Sequence, residues 1–157
     1  MRRTDRELRD PADIRAILDQ ADVIHLALAD GDTPYLVTMN FGIRREAPLA
    51  LYLHCAHEGR KIDVLKRNCR VCFGADVGRE VFQAEKGTSC GFSMRFRSVV
   101  GSGRMAFVAD PAEKLAGLDA VMDHYAPGTQ HRFSDAMVAR TTVLRLDVEE
   151  ISGKMRP

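Results

Sequence analysis

The chain has 157 residues, of which 45% are hydrophobic and 29% charged, a composition typical of one soluble globular domain with a substantial core. A formal net charge of +1 argues against electrostatic wrapping of nucleic acid or adhesion to an acidic membrane surface. No apolar run approaches the roughly 18 residues that a membrane helix needs. The charged opening MRRTDRELRD lacks the apolar segment of a signal peptide, so we expect a cytoplasmic, single-domain protein over residues 1–157.

The first third of the chain combines one helix with three strands. A capping Asp10 followed by Pro11 predicts an amphipathic helix over residues 11–20. The apolar run 23–29 and the alternating segment 34–41 are separated by a tight turn, which is typical of paired strands. A third strand is expected at 49–54. The short connections predict an antiparallel meander of these three strands.

The stretch Leu51–Phe73 carries the most informative chemistry. It predicts a strand that ends at His54 and Cys55, a turn containing Gly59, and a helix of about two turns that opens with Arg60 and Lys61. Free backbone N–H groups at a helix start, joined by a guanidinium and an ammonium, suit an anion such as a phosphate dianion. The alternative is that these basic side chains are only solvated surface charge. His54 at a strand end and the close approach that Gly59 allows favour a pocket.

Strands predominate in the next part of the sequence. A strand is expected from residue 70 to 76, and residues 77–91 are expected to form a loop or an irregular hairpin. The segment 92–108 reads as one long strand, with Gly101 and Gly103 marking a bulge, a bend or the close approach of another backbone.

The last third predicts helices followed by a closing strand. Asp110 and Pro111 begin a helix, a second short helix is expected at 134–140, and clean alternation predicts a strand at 142–148. The apolar stripe expected to be buried on the first of these helices comprises Leu115, Leu118, Val121 and Met122. Six or seven antiparallel strands with three or four helices favour a mainly β fold, a small β-barrel with helices packed outside.

Four cysteines invite a metal or redox interpretation, because Cys69 and Cys72 form a C-x-x-C string. On a strand, a spacing of three residues sends side chains to opposite faces. The chain has no second such string, so we expect buried, reduced thiols and no metal site.

Three segments together resemble a known family: PYLVTMNFG at 34–42, LYLHCAHEGRKIDVL at 51–65 and RSVVGSGRMAFV at 97–108. They are similar to the flavin-binding split-barrel superfamily of pyridoxamine 5'-phosphate oxidase, and within it to the nitroimidazole-reductase (Nim-type) branch. The resemblance implies a split β-barrel and a homodimer that binds FMN in each of two clefts between the subunits.

The resemblance also implies a set of cofactor-binding residues. Arg60 and Lys61, after Gly59, match the pair that binds the FMN phosphate, and His54 and Cys55 match the strand-end pair beside the ribityl phosphate and ring. The remaining matches border the isoalloxazine: the backbone of Val37, Thr38 and Met39, the adjacent Asn40, and Ser98, which is expected to reach the flavin from the neighbouring strand.

The expected activity is that of an FMN-dependent oxidoreductase, with electrons passing from a reduced nicotinamide to a small nitroaromatic, nitroimidazole or quinone acceptor. No residue stands out as an acid–base catalyst; His54 and His57 are candidates for tuning the flavin or delivering protons. One alternative is a haem- or flavin-binding protein without turnover, since the chain has five histidines. Another is a pyridoxamine-phosphate oxidase proper, which needs a second phosphate-binding cluster, for which only residues 130–132 offer a basic string.

Overall fold

The computed structural model describes residues 3–44 and 46–157. Its strands are β1 (Glu7–Leu8), β2 (Ile24–Asp30), β3 (Thr33–Met39), β4 (Gly42–Ile43), β5 (Ala50–Cys55), β6 (Arg70–Gln83), β7 (Phe92–Phe107) and β8 (Thr142–Arg156). Its α-helices are α1 (Pro11–Gln20), α2 (Arg60–Arg67), α3 (Pro111–Tyr125) and α4 (Asp135–Arg140), with short 3₁₀ helices at Thr4–Arg6 and Ser89–Gly91. The predicted class, mainly β with flanking helices, is confirmed.

All eight strands form one antiparallel sheet in the order β3-β2-β6-β7-β8-β5-β4, with β1 paired to β8. The two ends of this order, β3 and β4, are not paired to each other, so the barrel is split rather than closed. Helix α2 connects β5 to β6 and buries Ile62, Val64 and Leu65. This helix therefore belongs to the same core as the sheet while its charged first turn stays at the surface.

The predicted three-strand meander is wrong. Strand β3 pairs only with β2, whereas β5 pairs with β4 and β8. The register of the β5–β8 pair places Leu51 opposite Leu146 and Leu53 opposite Leu144, and these four side chains are all fully buried. Burial of these paired leucines explains why β5 pairs with β8, a strand almost 90 residues away, instead of with β3.

Residues 77–91, which were expected to form a loop or an irregular hairpin, belong to a long hairpin formed by β6 and β7. The pairing continues to Gln83 and Phe92, with an irregularity in register between Val77 and Glu80. A second irregularity lies between Ser102 and Gly103. A Cβ on Gly103 would overlap with the carbonyl oxygen of Asp147, which confirms the close backbone approach that the glycines predicted.

Helix α3 covers one end of the sheet, over β4, β5 and the beginning of β8. Leu118 and Val121 are buried as predicted, but Leu115 and Met122 are exposed by 42% and 37%, which corrects half of the expected stripe. Helix α3 contacts the sheet most closely at Gly117, where a Cβ would crowd the ring of Tyr52. Leu115 and Met122 therefore lie at the edges of the surface that the helix buries. In the part of the chain that the structure describes, no helix has the length and hydrophobicity needed to span a membrane.

The outer face of β3, β2, β6 and β7 carries no helix of the described chain. Cross-strand register places Thr38, His25, Gly74 and Val100 in one row on this face, and a parallel row holds Leu36, Ala27, Cys72 and Ser102. Leu36 and Val100 are exposed by 63% and 54%. We call this surface, made of these two rows, the open sheet face. It is built largely of small residues and contains two exposed aliphatic side chains.

Candidate functional site

The predicted site residues converge on the split in the barrel, where the end of β3, the end of β5 and the start of α2 meet. Lys61 lies in the first turn of α2, and its Nζ is 2.8 Å from Sδ of Met39, the last residue of β3. Its charge also acts on His54 and Cys55 at the end of β5. The structure therefore brings together Met39, His54, Cys55 and Lys61, from segments that are separate in the sequence.

Lys61 is half-buried, and it forms no ion pair with any carboxylate in residues 3–44 and 46–157. A half-buried ammonium without a counter-ion attracts an anion more strongly than an exposed one, because less water screens it. Lys61 is thus a half-buried positive charge that remains available to an anion.

Gly59 precedes α2 with a φ of 121°, a conformation that favours glycine. No side chain caps the first turn of the helix at this position, and a Cβ on Gly59 would have open space within 4 Å. The backbone N–H groups of the first turn consequently remain available to a ligand.

Arg60 has partners that the sequence did not indicate. Its Nε donates to Oδ2 of Asp30 at 3.0 Å, and its guanidinium lies 4.4 Å from the ring centroid of Tyr35. The two terminal amino groups of Arg60 form no hydrogen bond to the described residues. Asp30 also binds Arg67. Nothing in the sequence could have revealed this arrangement, because Asp30 precedes Arg60 by 30 positions and reads only as part of a turn.

The two groups at the end of β5 are shifted toward their neutral forms. Burial, assisted by the positive charge of Lys61, lowers the pKa of His54 below its ordinary value of 6.5. Burial raises the pKa of the Cys55 thiol, and Lys61 opposes that rise. An anion bound beside Lys61 would favour protonation of His54.

Strand β3 is a sheet edge, with β2 as its single partner among the described strands. Val37 and Met39 point into the core, whereas Thr38 and Asn40 are exposed. Because one side of the β3 backbone is unpaired, its N–H and C=O groups can bind a planar heterocycle that has alternating donors and acceptors.

His25 is a further residue beside the predicted site that the sequence analysis did not include. The structure places it on the open sheet face, exposed, with its Nδ1 3.3 Å from Oγ1 of Thr38. It therefore contacts one of the predicted flavin-bordering residues. The alternation of β2 contained the signal, since His25 occupies the opposite face from the buried Ile24 and Leu26.

Ser98 lies on the outer surface of β7, paired with Asp76 and Lys154. The expectation that its strand neighbours β3 is wrong, because β2 and β6 lie between them. Three strand spacings of about 4.8 Å separate β7 from β3, or roughly 14 Å. Within one chain, Ser98 and Thr38 are consequently not on adjacent strands and do not contact the same small group.

His57 has both ring nitrogens occupied. Nδ1 is 2.6 Å from Oγ1 of Thr142, and Nε2 is 2.7 Å from the carbonyl oxygen of Ala139. These contacts tie the loop before α2 to α4 and β8. His54, by contrast, has no hydrogen bond to a described residue, so it is the more accessible of the two histidines proposed for proton delivery.

The four cysteines are free thiols, but they are not buried as expected. Cys55 and Cys69 are half-buried, and Cys72 and Cys90 are exposed. Cys72 lies on the open sheet face because the alternation of β6 turns it outward. Within residues 3–44 and 46–157, no three His, Cys, Asp or Glu side chains are grouped as a metal site would require.

A cavity of about 600 Å³ lies apart from the split, between α1, α3 and β4. Its walls contain charges of both signs, including Arg15 and Asp19, which pair with each other at 3.0 Å. Arg15 and Asp19 therefore offset each other's charge in the cavity wall.

Comparison with known proteins identifies the family. A sequence profile described as pyridoxamine 5'-phosphate oxidase matches residues 10–155. The chain belongs to the pyridoxamine 5'-phosphate oxidase family. A comparison with curated protein sequences gives no match.

Solved structures with the same fold include several proteins related to this family. The sequence is 34% identical to a candidate 5-nitroimidazole antibiotic resistance protein from Bacteroides thetaiotaomicron, with a TM-score of 0.83 over 95% of this chain and 86% of the other. The flavocytochrome Anf3 from Azotobacter vinelandii has a TM-score of 0.83 and 24% identity, over 100% of this chain and 72% of the other. The FAD and heme binding protein from Mycobacterium smegmatis has values of 0.82 and 22%, over 96% and 73%. At these two lower identities the likeness shows the fold alone.

The donor set at the split fits the phosphate end of a mononucleotide. It combines an unpaired ammonium, two free guanidinium amino groups and the uncapped first turn of α2, all of which donate hydrogen bonds. A group that is both anionic and rich in acceptors satisfies this set. The match of the family profile to residues 10–155 and the split-barrel architecture confirm the resemblance at the level of the family and its fold.

Proposed function

We propose that the chain is an FMN-dependent oxidoreductase whose cofactor phosphate binds at the start of α2. The observation that carries the proposal is Lys61, a half-buried ammonium that has no carboxylate partner among the described residues and lies between the ends of β3 and β5. Arg60 would add its terminal amino groups, and Gly59 would permit close approach of the phosphate to the backbone.

The proposed ring site follows the edge of β3. The backbone of Val37, Thr38 and Met39 would provide hydrogen bonds to the isoalloxazine, and the exposed Asn40 would add a side-chain amide. His54 and Cys55 would border the ring and the ribityl chain from the end of β5. When bound, FMN supplies two-electron chemistry between a reduced nicotinamide and a small acceptor.

A nitroaromatic or nitroimidazole acceptor is the substrate class we favour, with a quinone as the second. Support comes from the relative at 34% identity, whose name refers to 5-nitroimidazole antibiotic resistance. Reduction of such acceptors consumes protons as well as electrons, and His54 would deliver them, because its ring nitrogens form no hydrogen bond to the described residues.

The proposed assembly is a homodimer joined through the open sheet face. Leu36 and Val100 are exposed there among small residues, and burying them against a second copy would remove apolar area from water. A shared cleft would also explain a role for Ser98. This residue lies three strands away from β3 in its own subunit, but it could reach a flavin bound on β3 of the second subunit.

The phosphate site is tested by titrating the protein with FMN and measuring the quenching of flavin fluorescence. Lys61→Ala should weaken binding by about 1.5–3 kcal/mol, the scale of a hydrogen bond to a charged group, or roughly 10- to 100-fold.

The matched control is Lys66→Ala, which removes the same charge from the exposed C-terminal turn of the same helix. It should change FMN affinity by less than about twofold, because an exposed charge is well screened. Equal effects of the two substitutions, or wild-type protein that does not bind FMN, would refute the proposed site.

A further inference from the structure

We propose that Asp30 is a positioning residue that holds Arg60 in the orientation in which its terminal amino groups bind the cofactor phosphate. This inference rests on the proposed function. It concerns a carboxylate that would not be expected beside a phosphate site, since two anions repel each other.

The contacts of Asp30 join both ends of α2 to the turn between β2 and β3. Oδ2 accepts a hydrogen bond from Nε of Arg60 at 3.0 Å, and Oδ1 accepts one from Nη2 of Arg67 at 2.6 Å. Each carboxylate oxygen thus binds one arginine, in the first and last turns of the helix. The side chain of Asp30 is only 24% exposed, whereas those of Arg60 and Arg67 are 54% and 61% exposed.

Arg60 is fixed from two directions. Its Nε is held by Asp30, and its guanidinium plane lies against Tyr35 of β3, 4.4 Å from the ring centroid. Both contacts leave the two terminal amino groups free, and these form the fork that binds a phosphate in two-point geometry. Because Tyr35 belongs to the strand that would border the flavin ring, the same contacts link the ring site to the phosphate site.

The hydrogen bonds from Arg60 and Arg67 lower the pKa of Asp30, so its carboxylate is ionised throughout the neutral range. The two possible roles of Asp30 predict opposite effects when its negative charge is removed. If Asp30 acts only through its charge, Asp30→Asn removes a repulsion and tightens FMN binding. If Asp30 positions Arg60, the substitution releases Arg60 and weakens binding, even though it makes the site more positive.

The experiment compares FMN and riboflavin binding to wild-type protein and Asp30→Asn by fluorescence titration. Riboflavin lacks the phosphate but shares the ring, so it reports on the ring site and on correct folding. We expect Asp30→Asn to weaken FMN binding about 5- to 20-fold, on the scale of one charge-assisted hydrogen bond, while riboflavin affinity stays within about twofold.

Asp63→Asn provides the matched control, because it removes one negative charge from the exposed surface of the first turn of α2. This variant should bind FMN as tightly as wild type or slightly more tightly. Unchanged or tighter FMN binding by Asp30→Asn overturns the inference and leaves the proposed function intact. An equal loss for riboflavin also overturns it, because Asp30 would then support the fold rather than the phosphate. Absence of FMN binding in wild type removes the proposed function and this inference with it.

Discussion

At the scale of single residues, one charge determines the chemistry of the split. Lys61 lies beside Met39, and its positive charge acts on both His54 and Cys55. Burial disfavours the charged forms of the histidine and the thiol alike, while the ammonium disfavours the imidazolium and favours the thiolate. An anion bound beside Lys61 would therefore change the protonation of these two side chains.

Removal of that charge should be visible in the titration of His54. Lys61→Met is expected to raise the pKa of His54, because one of the two causes of its lowering disappears while burial remains. Titration of the histidine ring signals by NMR measures the change. Lys66→Met should leave the pKa of His54 where it is in wild type. A pKa that is the same in wild type and Lys61→Met would contradict the electrostatic account.

The sign of the stability effect follows from the same shift. The pKa of His54 is lower in the folded chain than the value of about 6.5 in an unfolded one, so protons bind preferentially to the unfolded state. The stability that the neutral imidazole contributes is fully present above about pH 6.5 and is lost as the pH falls through the folded pKa. Acidification should therefore lower the Tm of wild type relative to His54→Gln.

At the scale of elements, the position of the site depends on how α3 and the strands approach one another. Gly42 of β4 lies directly under α3, and a Cβ there would overlap with the backbone of Ala120 and Val121. Two backbones cannot move apart as a flexible side chain could, so this glycine is required for the packing of the helix on the sheet.

Gly42→Ala should accordingly destabilise the fold by about 1–3 kcal/mol, the typical cost of overpacking. Chemical denaturation followed by circular dichroism measures the loss. Gly74→Ala, in strand β6, is the comparison variant, since a Cβ there would meet its nearest atom at 3.6 Å, an ordinary contact. If Gly42→Ala were as stable as Gly74→Ala, the close approach of α3 and β4 would have to be abandoned.

At the scale of the whole molecule, the helices are distributed unevenly over the sheet. Helix α3 covers the outer side of β4 and β5, whereas the open sheet face has no described helix over it. An uncovered sheet with exposed aliphatic side chains is typical of a surface that associates with another chain. This asymmetry supports the proposed homodimer and a cofactor cleft shared between two copies.

A charge on the open sheet face should disrupt that dimer. Val100→Lys is expected to give a monomer by light scattering at micromolar concentration and to weaken FMN binding, because a buried unpaired ammonium opposes association. Met137→Lys is the control, since Met137 is exposed by 63% on α4, away from this face. A Val100→Lys variant that remains dimeric would place the interface elsewhere, and a monomeric wild type would refute the dimer altogether.

The sequence by itself determined several of the local elements and placed the basic residues of the proposed anion site next to each other. Periodicity and capping residues predicted α1 with its observed bounds, and periodicity predicted that α2 begins at Arg60, because these signals act over a few neighbouring residues. The spacing of His54, Gly59 and Lys61 identified the strand end and helix start that the structure brings together. The resemblance of three segments predicted the family, and comparison with known proteins confirmed it.

Only the tertiary structure decided which strands far apart in the sequence pair and which charges contact each other. Strand β5 joins β8 rather than β3, and this choice opens the split in which Lys61 lies. The carboxylate of Asp30 binds Arg60 and Arg67 because α2 packs beside the turn between β2 and β3. His25 contacts Thr38 on the adjacent strand. Contacts between distant segments arise because apolar residues far apart in the sequence are buried together. Local sequence patterns do not show which of these segments will lie close to each other in space.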